Sequence, residues 1–265
     1  IVWSLSSDGK TATRRTQFPT CAVDANGEKV ISTCIGTNDA VVDIALSDDD
    51  SVVVVAESAE AYASVFSLGS EGTSAAGLVL LPECPVDANG NKVDSNCNGH
   101  VDGFYIKSVA ISTDNSLVVT AGQGGIAVVW SLDVDDEKAD GLVTITGHTD
   151  TINDVAISKN NKFIVTASDD FTVIVSKLTI GDPSVATIAV LNEHEYFVNS
   201  VALSADNTRM VTGDEDGIAI VWSFDPDTGA TAKLATLYQC QAKEAEGCKT
   251  TGGSYEIQDL ALSDD

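Results

Sequence analysis

One block of sequence recurs along this chain and constrains its fold more than any other feature. Each copy begins with an alternating apolar run that ends in Ser, passes through an Asp- or Asn-rich turn into a Val-rich run, and closes with a third run ending in Trp-Ser or a variant of it. The copies occupy residues 42–68, 108–132, 153–178 and 199–224. Short runs rich in Val, Ile and Thr between turn residues are typical of antiparallel β-strands.

A further apolar run precedes each block, at residues 14–18, 78–81, 142–146, 185–191 and 233–238. Four short strands in a period of about 45 residues correspond to one blade of a β-propeller. We therefore predict an all-β fold built of four-stranded antiparallel blades. The chain opens on the third strand of a blade, residues 1–5, and closes on the first strand of another, residues 257–265. Because both ends cut through a repeat, we expect a longer native chain with more blades.

The fourth copy carries the side chains of a known repeat. His194, Thr212, Asp216 and Trp222 fall where WD-repeat β-propellers place a hydrogen-bonded tetrad within one blade. The chain therefore resembles a divergent WD-repeat protein over nearly its whole length, apart from three insertions, with Trp-Ser where the family has Trp-Asp. This resemblance implies that the tetrad histidines are structural and that the tryptophans pack between blades. It also implies a rigid platform that binds proteins rather than an enzyme.

The third copy keeps most of the same tetrad. His148, Thr166 and Asp170 occupy the corresponding positions, and Ser176 replaces the Trp. In the second copy Thr120 and Trp130 are present. The resemblance thus predicts one complete tetrad and two partial ones in these three copies.

Charge excludes several classes of partner. With 14 Lys and Arg against 40 Asp and Glu, the formal net charge is −26. Binding to nucleic acid or to anionic lipid requires clustered cations, which this chain lacks, so we expect neither. No apolar run approaches the about 20 residues of a membrane-spanning helix, and we expect no membrane insertion.

The six cysteines occur as one pair in each of three insertions, at about residues 19–40, 82–104 and 239–254. The pairs are Cys21 with Cys34, Cys84 with Cys97, and Cys240 with Cys248. Local pairing is the most economical of the possible connectivities. The alternative is a zinc site, but the spacing lacks the Cys-x₂-Cys pattern typical of zinc ligands. Three disulfides would indicate an extracellular or other oxidising compartment.

All three insertions connect the outer strand of one blade to the inner strand of the next. In a propeller these connections lie on one face, so we expect the loops to project together. The dipeptides Asn26-Gly27 and Asn89-Gly90 favour tight hairpins, each closed by a disulfide that contributes about 3 kcal/mol in the chain-entropy model.

The second insertion also contains oxygen ligands at alternate positions: Asp94, Asn96, Asn98 and, after a Gly bend, Asp102. This spacing resembles the start of an EF-hand-type loop and indicates a possible Ca²⁺ site. Tyr105 stands where such a loop has its bidentate Glu. The alternative is an Asn-rich turn exposed to solvent.

No nucleophile elbow, phosphate-binding loop or zinc-protease motif occurs, and we assign no catalytic residue. Our main hypothesis is a non-enzymatic extracellular structural or interaction module. It would bind neighbouring copies, as in a filament, or a matrix or surface protein, through the stapled loops on one face. The alternatives are a calcium-dependent binding module and a secreted enzyme of unknown substrate that uses a carboxylate pair.

Overall fold

A computed structural model of the chain describes residues 2–5, 12–16, 41–57, 63–68, 75–81, 105–179, 184–238 and 256–263. The secondary structure of this part consists of 18 β-strands. None of the described segments forms a helix able to cross a membrane.

Four sheets each contain four antiparallel strands that follow one another in chain order, so the predicted fold class is confirmed. The first blade is β3 (Val41–Leu46), β4 (Val52–Glu57), β5 (Ala63–Leu68) and β6 (Ala75–Leu81); the second is β7 (Ile106–Ile111), β8 (Leu117–Gly122), β9 (Ala127–Asp133) and β10 (Lys138–Ile145). The third is β11 (Ile152–Ile157), β12 (Phe163–Ser168), β13 (Val173–Thr179) and β14 (Ser184–Leu191); the fourth is β15 (Val198–Leu203), β16 (Arg209–Asp214), β17 (Ile218–Phe224) and β18 (Thr231–Tyr238). Two strands near the start of the chain, β1 (Val2–Leu5) and β2 (Ala12–Thr16), pair with each other.

The second strand of each blade is the most buried. Every residue of β4, β8 and β12 is buried, and β16 departs from this only at Arg209. A strand that is covered on both faces selects a continuous Val-rich run rather than an alternating one. The outer strand β14 alternates between exposed and half-buried residues over much of its length because one of its faces meets solvent.

The turn between the first and second strands has the same construction in every blade. A Ser hydroxyl donates a hydrogen bond to the Asp or Asn two residues later, and the next residue adopts a left-handed conformation with φ between 55° and 58°. The Ser and acceptor pairs are Ser47 and Asp49, Ser112 and Asp114, Ser158 and Asn160, and Ser204 and Asp206. These Asp-rich segments are therefore ordered turns and not merely solvated charge.

The chain divides into two compact units, residues 1–120 with 128–144, and residues 121–127 with 145–265. In the first unit, Val54 of the first blade and Trp130 of the second belong to one buried cluster. The carboxylate of Asp43 accepts a hydrogen bond from the Val109 N–H at 2.8 Å, which joins the two inner strands.

The second unit repeats this arrangement between the third and fourth blades. Phe163 packs edge-on against Phe224 with ring centroids 5.4 Å apart, inside a cluster that includes Trp222. Asp154, which corresponds to Asp43, accepts a hydrogen bond from the Val201 N–H at 2.8 Å. Within each unit, the two blades are thus joined by apolar packing and by a carboxylate bonded to the backbone of the next inner strand.

Residues 256–263 lie beside the fourth blade. The Ile257 N–H donates to the Asp214 carbonyl at 3.0 Å, and the Asn199 side chain donates to the Ile257 carbonyl at 3.1 Å. Ile257 packs against Val211 and Ala219. This segment, predicted as the first strand of another blade, forms no strand within its described residues. It packs against the second and third strands of the fourth blade and is hydrogen-bonded to the first.

Candidate functional site

One end of each blade collects the chain connections to its neighbours. In the fourth blade, Val198 at the start of β15 pairs with Asp214 at the end of β16, and Tyr238 at the end of β18 pairs with Ile218 at the start of β17. We call this the connection end, because the chain enters the first strand and leaves the outer strand here. The turn between the second and third strands lies here as well.

The three insertions all arise at connection ends. The first precedes Val41, which pairs with Glu57 at the end of β4, and the second follows Leu81, which pairs with Ala63 at the start of β5. The third follows Tyr238. The six cysteines themselves lie outside the described residues, and so does the proposed calcium set Asp94, Asn96, Asn98 and Asp102.

A buried hydrogen-bonded chain fixes the connection end of the fourth blade. The Trp222 indole N–H donates to the Thr212 hydroxyl oxygen at 3.0 Å, and that oxygen lies 2.7 Å from His194 Nε2. His194 Nδ1 lies 2.8 Å from Asp214 Oδ2. All four residues are buried, so the loop that carries His194 is tied to the second and third strands of the blade.

The direction of these bonds follows from the chemistry of the groups. The carboxylate of Asp214 accepts, so His194 Nδ1 donates to it, and Nε2 of the neutral ring then accepts from the Thr212 hydroxyl. Burial lowers the pKa of His194 below its ordinary value of 6.5 and outweighs the opposing effect of Asp214. A neutral ring agrees with this pattern, because imidazolium would have no acceptor site for the Thr212 hydroxyl.

The carboxylate of this network belongs to Asp214. The expected tetrad residue, Asp216, is wrong. Asp216 is exposed, and its backbone N–H donates to Asp214 Oδ1 at 3.1 Å. Residues 212 and 214 lie two apart on β16, so both side chains point to the face that meets His194. Residue 216 has the same parity but lies in the turn beyond β16, whereas Asp214 is the last residue of the strand, so the end of the strand is what separates the two acids.

In the third blade, the carboxylate of the corresponding network comes from a different sequence position. His148 contacts Asp170 at 2.9 Å and Thr166 at 2.8 Å, as the resemblance predicts. Burial raises the pKa of Asp170, but hydrogen bonds from Thr172, the Thr149 N–H and His148 outweigh this and hold it below the ordinary 3.8. The carboxylate comes from the turn because Ser168 occupies the position that Asp214 holds in the fourth blade.

The order hydroxyl, imidazole, carboxylate matches that of a hydrolase triad, but burial prevents such a role here. The Thr212 side chain is fully buried and already accepts the Trp222 N–H. A nucleophilic hydroxyl must be accessible to a substrate, whereas this one is buried between Trp222 and His194, so the arrangement fits a role in positioning the loop. In the described ranges, no three His, Cys, Asp or Glu side chains lie together as a cation site.

Three aromatic side chains project from the connection ends of the third and fourth blades. Phe171, Tyr196 and Phe197 are 43%, 45% and 39% exposed, and the rings of Phe171 and Phe197 lie 5.5 Å apart. Phe171 has a φ of 71°, which is rare for a bulky residue. The corresponding turn positions in the second and fourth blades are Gly125 and Gly217, with φ of 67° and 78°. The turn therefore holds an exposed aromatic ring where its counterparts hold glycine.

Comparison with known proteins supports the repeat assignment. Three segments match the WD domain, G-beta repeat: residues 91–131, 141–175 and 186–223. The last two begin in the outer strand of one blade and end in the third strand of the next. Together the three cover less than half of the chain, and the first blade lies outside them although its sheet has the same strand order. No curated protein matches the chain.

These matches and the four sheets together support a WD-repeat-like propeller fold. WD repeats indicate a protein-interaction module, and proteins built from them typically act as non-enzymatic scaffolds.

Proposed function

We propose that this chain is a non-enzymatic interaction module of an extracellular or other oxidising compartment. It binds neighbouring copies or a matrix or surface protein through the connection ends of its blades. The observation that carries the proposal is that all three cysteine-containing insertions arise at connection ends. Loops held by a rigid sheet and stapled at their base lose little conformational entropy on binding, which favours recognition.

The networks around His148 and His194 support the same role. Each ties the loop that enters a blade to the second strand of that blade through buried hydrogen bonds. Such contacts fix the base of the loop and leave its tip available to a partner. A binding surface on a preorganised scaffold needs this combination.

Non-reducing peptide mapping of the native protein tests the compartment. We expect three disulfides, each within one insertion: Cys21 with Cys34, Cys84 with Cys97, and Cys240 with Cys248. Recovery of free thiols or of bound zinc would contradict the proposal.

Sedimentation across a wide range of protein concentration tests the binding role. We expect the parent protein to self-associate or to bind a matrix protein, and replacement of both Cys21 and Cys34 by Ser to weaken that association. Asp227→Asn, at the opposite end of the fourth blade, serves as the matched control. A parent that neither self-associates nor binds matrix proteins, or association unchanged in the cysteine variant, would count against the proposal.

A further inference from the structure

We propose that Phe171, Tyr196 and Phe197 form a binding surface for a basic segment of a partner protein, an extended segment that presents Arg or Lys side chains to these rings. We call the three residues the aromatic patch. The inference rests on the proposed function, because it assigns a partner chemistry to part of the connection end.

The patch is a surface shared by two blades. Phe171 lies in the turn between β12 and β13, whereas Tyr196 and Phe197 lie in the loop before β15. This loop is held on both sides of the aromatic pair. On one side His194 is bonded to Thr212 and Asp214, and on the other the Phe197 carbonyl accepts from the Glu215 N–H at 3.0 Å. The rings are therefore exposed on a fixed backbone, which reduces the entropy lost on binding.

The charge around the patch has one sign. The described connection-end segments of these two blades, residues 146–151, 167–172, 192–198 and 213–218, contain no Lys or Arg; the third insertion, outside the described residues, contains Lys243 and Lys249. Their acidic residues are Asp150, Asp169, Asp170, Glu193, Glu195, Asp214, Glu215 and Asp216. Asp170 and Asp214 bond to the histidines, and Glu193 pairs with Lys233 at 3.2 Å. Glu195 is exposed and directly precedes Tyr196 in the chain. Glu215 is half-buried and its N–H donates to the Phe197 carbonyl, and the exposed Asp216 follows it.

The opposite end of the same blades differs in charge. There Lys162 pairs with Asp227 at 3.3 Å, Lys159 lies in the turn between β11 and β12, and Arg209 begins β16. The acidic field at the connection end is thus a local feature and not only a consequence of the net charge of −26. Carboxylates attract a cationic segment, and aromatic faces bind ammonium and guanidinium groups directly.

The experiment measures binding of three fluorescent peptides to the parent chain at low and moderate ionic strength. The peptides alternate Leu with Arg, with Lys or with Glu. We expect the Arg peptide to bind most tightly, the Lys peptide more weakly, and the Glu peptide not at all. Equal binding of the Arg and Glu peptides, or no binding of the Arg peptide at low ionic strength, would overturn the inference.

Phe171→Gly is the main variant, because glycine already occupies this turn position in two other blades. We expect this variant to fold as the parent does and to bind the Arg peptide with an affinity at least about tenfold lower. Tyr196→Ala should act in the same direction. Ile188→Ala removes an exposed apolar side chain from the outer strand β14 and should leave affinity unchanged. If Phe171→Gly and Ile188→Ala bind the Arg peptide equally well, the aromatic patch is not the site.

Charge variants separate this site from general attraction to an acidic protein. Glu195→Gln together with Glu215→Gln should weaken the Arg peptide and reduce its salt dependence, whereas Asp227→Asn should not. Equal losses of affinity in both variants would show that the peptide responds to the overall charge of the protein, and would overturn the inference.

Two results distinguish failure of this inference from failure of the proposed function. If Phe171→Gly keeps its peptide affinity while the cysteine-loop variant loses association, the patch assignment fails and the proposed function stands. If Phe171→Gly abolishes self-association of the parent in the absence of peptide, the occupant of the patch is a second copy of the chain, and the basic-segment inference is wrong.

Discussion

At the scale of single residues, the decisive feature is which carboxylate meets His194. Asp214 is fully buried and accepts three hydrogen bonds, from His194, from the Asp216 N–H and from the Ile218 N–H. Asp216 is exposed. Two acids two positions apart therefore differ completely in structural role.

Asp214→Asn should destabilise the protein by about 1.5–3 kcal/mol, because it removes a charge-assisted hydrogen bond and leaves buried donors poorly matched. Asp216→Asn, the matched control, should stay within about 0.5 kcal/mol of the parent. Urea denaturation followed by far-ultraviolet circular dichroism measures both. A larger effect at Asp216 would restore the original tetrad assignment.

His194 also gives a pH dependence. Its pKa in the folded chain lies below 6.5, mainly because of burial, so the unfolded chain takes up a proton first as pH falls. The free energy of unfolding should therefore decrease as pH falls below about 6.5 and show no contribution from His194 above about pH 7.5. Asp170 and Asp206, with pKa values below 3.8, lose their stabilising effect only at more acidic pH.

Denaturation of the parent and of His194→Gln at several pH values checks this expectation. The variant will be less stable at every pH, so the comparison concerns how steeply the free energy of unfolding changes with pH and not its absolute value. The same slope in both proteins between about pH 5 and 6.5 would show that another group titrates there.

At the scale of elements, one hydrogen bond recurs in both units: an Asp carboxylate on the inner strand of one blade accepts from a backbone N–H on the inner strand of the next. Asp43 of the first blade bonds to the backbone of the second, and Asp154 of the third blade bonds to that of the fourth. The residues equivalent to these Asp in the second and fourth blades are Ser108 and Ser200. Asp259 continues the alternation at the next copy. Within each unit, the Asp of one blade thus meets the Ser-containing strand of the next.

Asp154→Ala should destabilise the protein by about 1–3 kcal/mol, since the Val201 N–H and the Ser200 hydroxyl lose their acceptor at a packed interface. Asp150→Ala is a suitable control because, among the described residues, the Asp150 side chain bonds within its own turn, to Thr151. Thermal denaturation compares the two. Equal effects would mean that the inter-strand bond adds nothing beyond local turn stability.

At the scale of the whole molecule, the net charge of −26 sets the response to ions. Like charges repel across the surface, and at 0.1 M salt this repulsion is screened beyond about 10 Å. Tm should therefore rise as NaCl is added, by about 2–4 °C for each 1 kcal/mol of relieved repulsion. A Tm that falls over the same range would indicate that attractive ion pairs dominate.

Calcium is a separate whole-molecule test. The prediction of a site at Asp94, Asn96, Asn98 and Asp102 rests on sequence alone, and it requires that chelation lower the Tm of the parent. Asp94→Asn with Asp102→Asn should remove that sensitivity, whereas Asp135→Asn with Asp136→Asn, in an exposed acidic turn, should preserve it. Melting that is unchanged by chelator in the parent would contradict the site.

The sequence by itself determined the blades, because strand periodicity and turn residues are local properties that recur with each copy. It also identified His194, Thr212 and Trp222, whose spacing the repeat dictates. Tertiary structure decided between Asp214 and Asp216, since the choice depends on where β16 ends and on where the His194 ring lies against that end. It alone assembled the aromatic patch: Phe171 and Phe197 are far apart in the chain, and only the packing of two blades brings their rings to 5.5 Å.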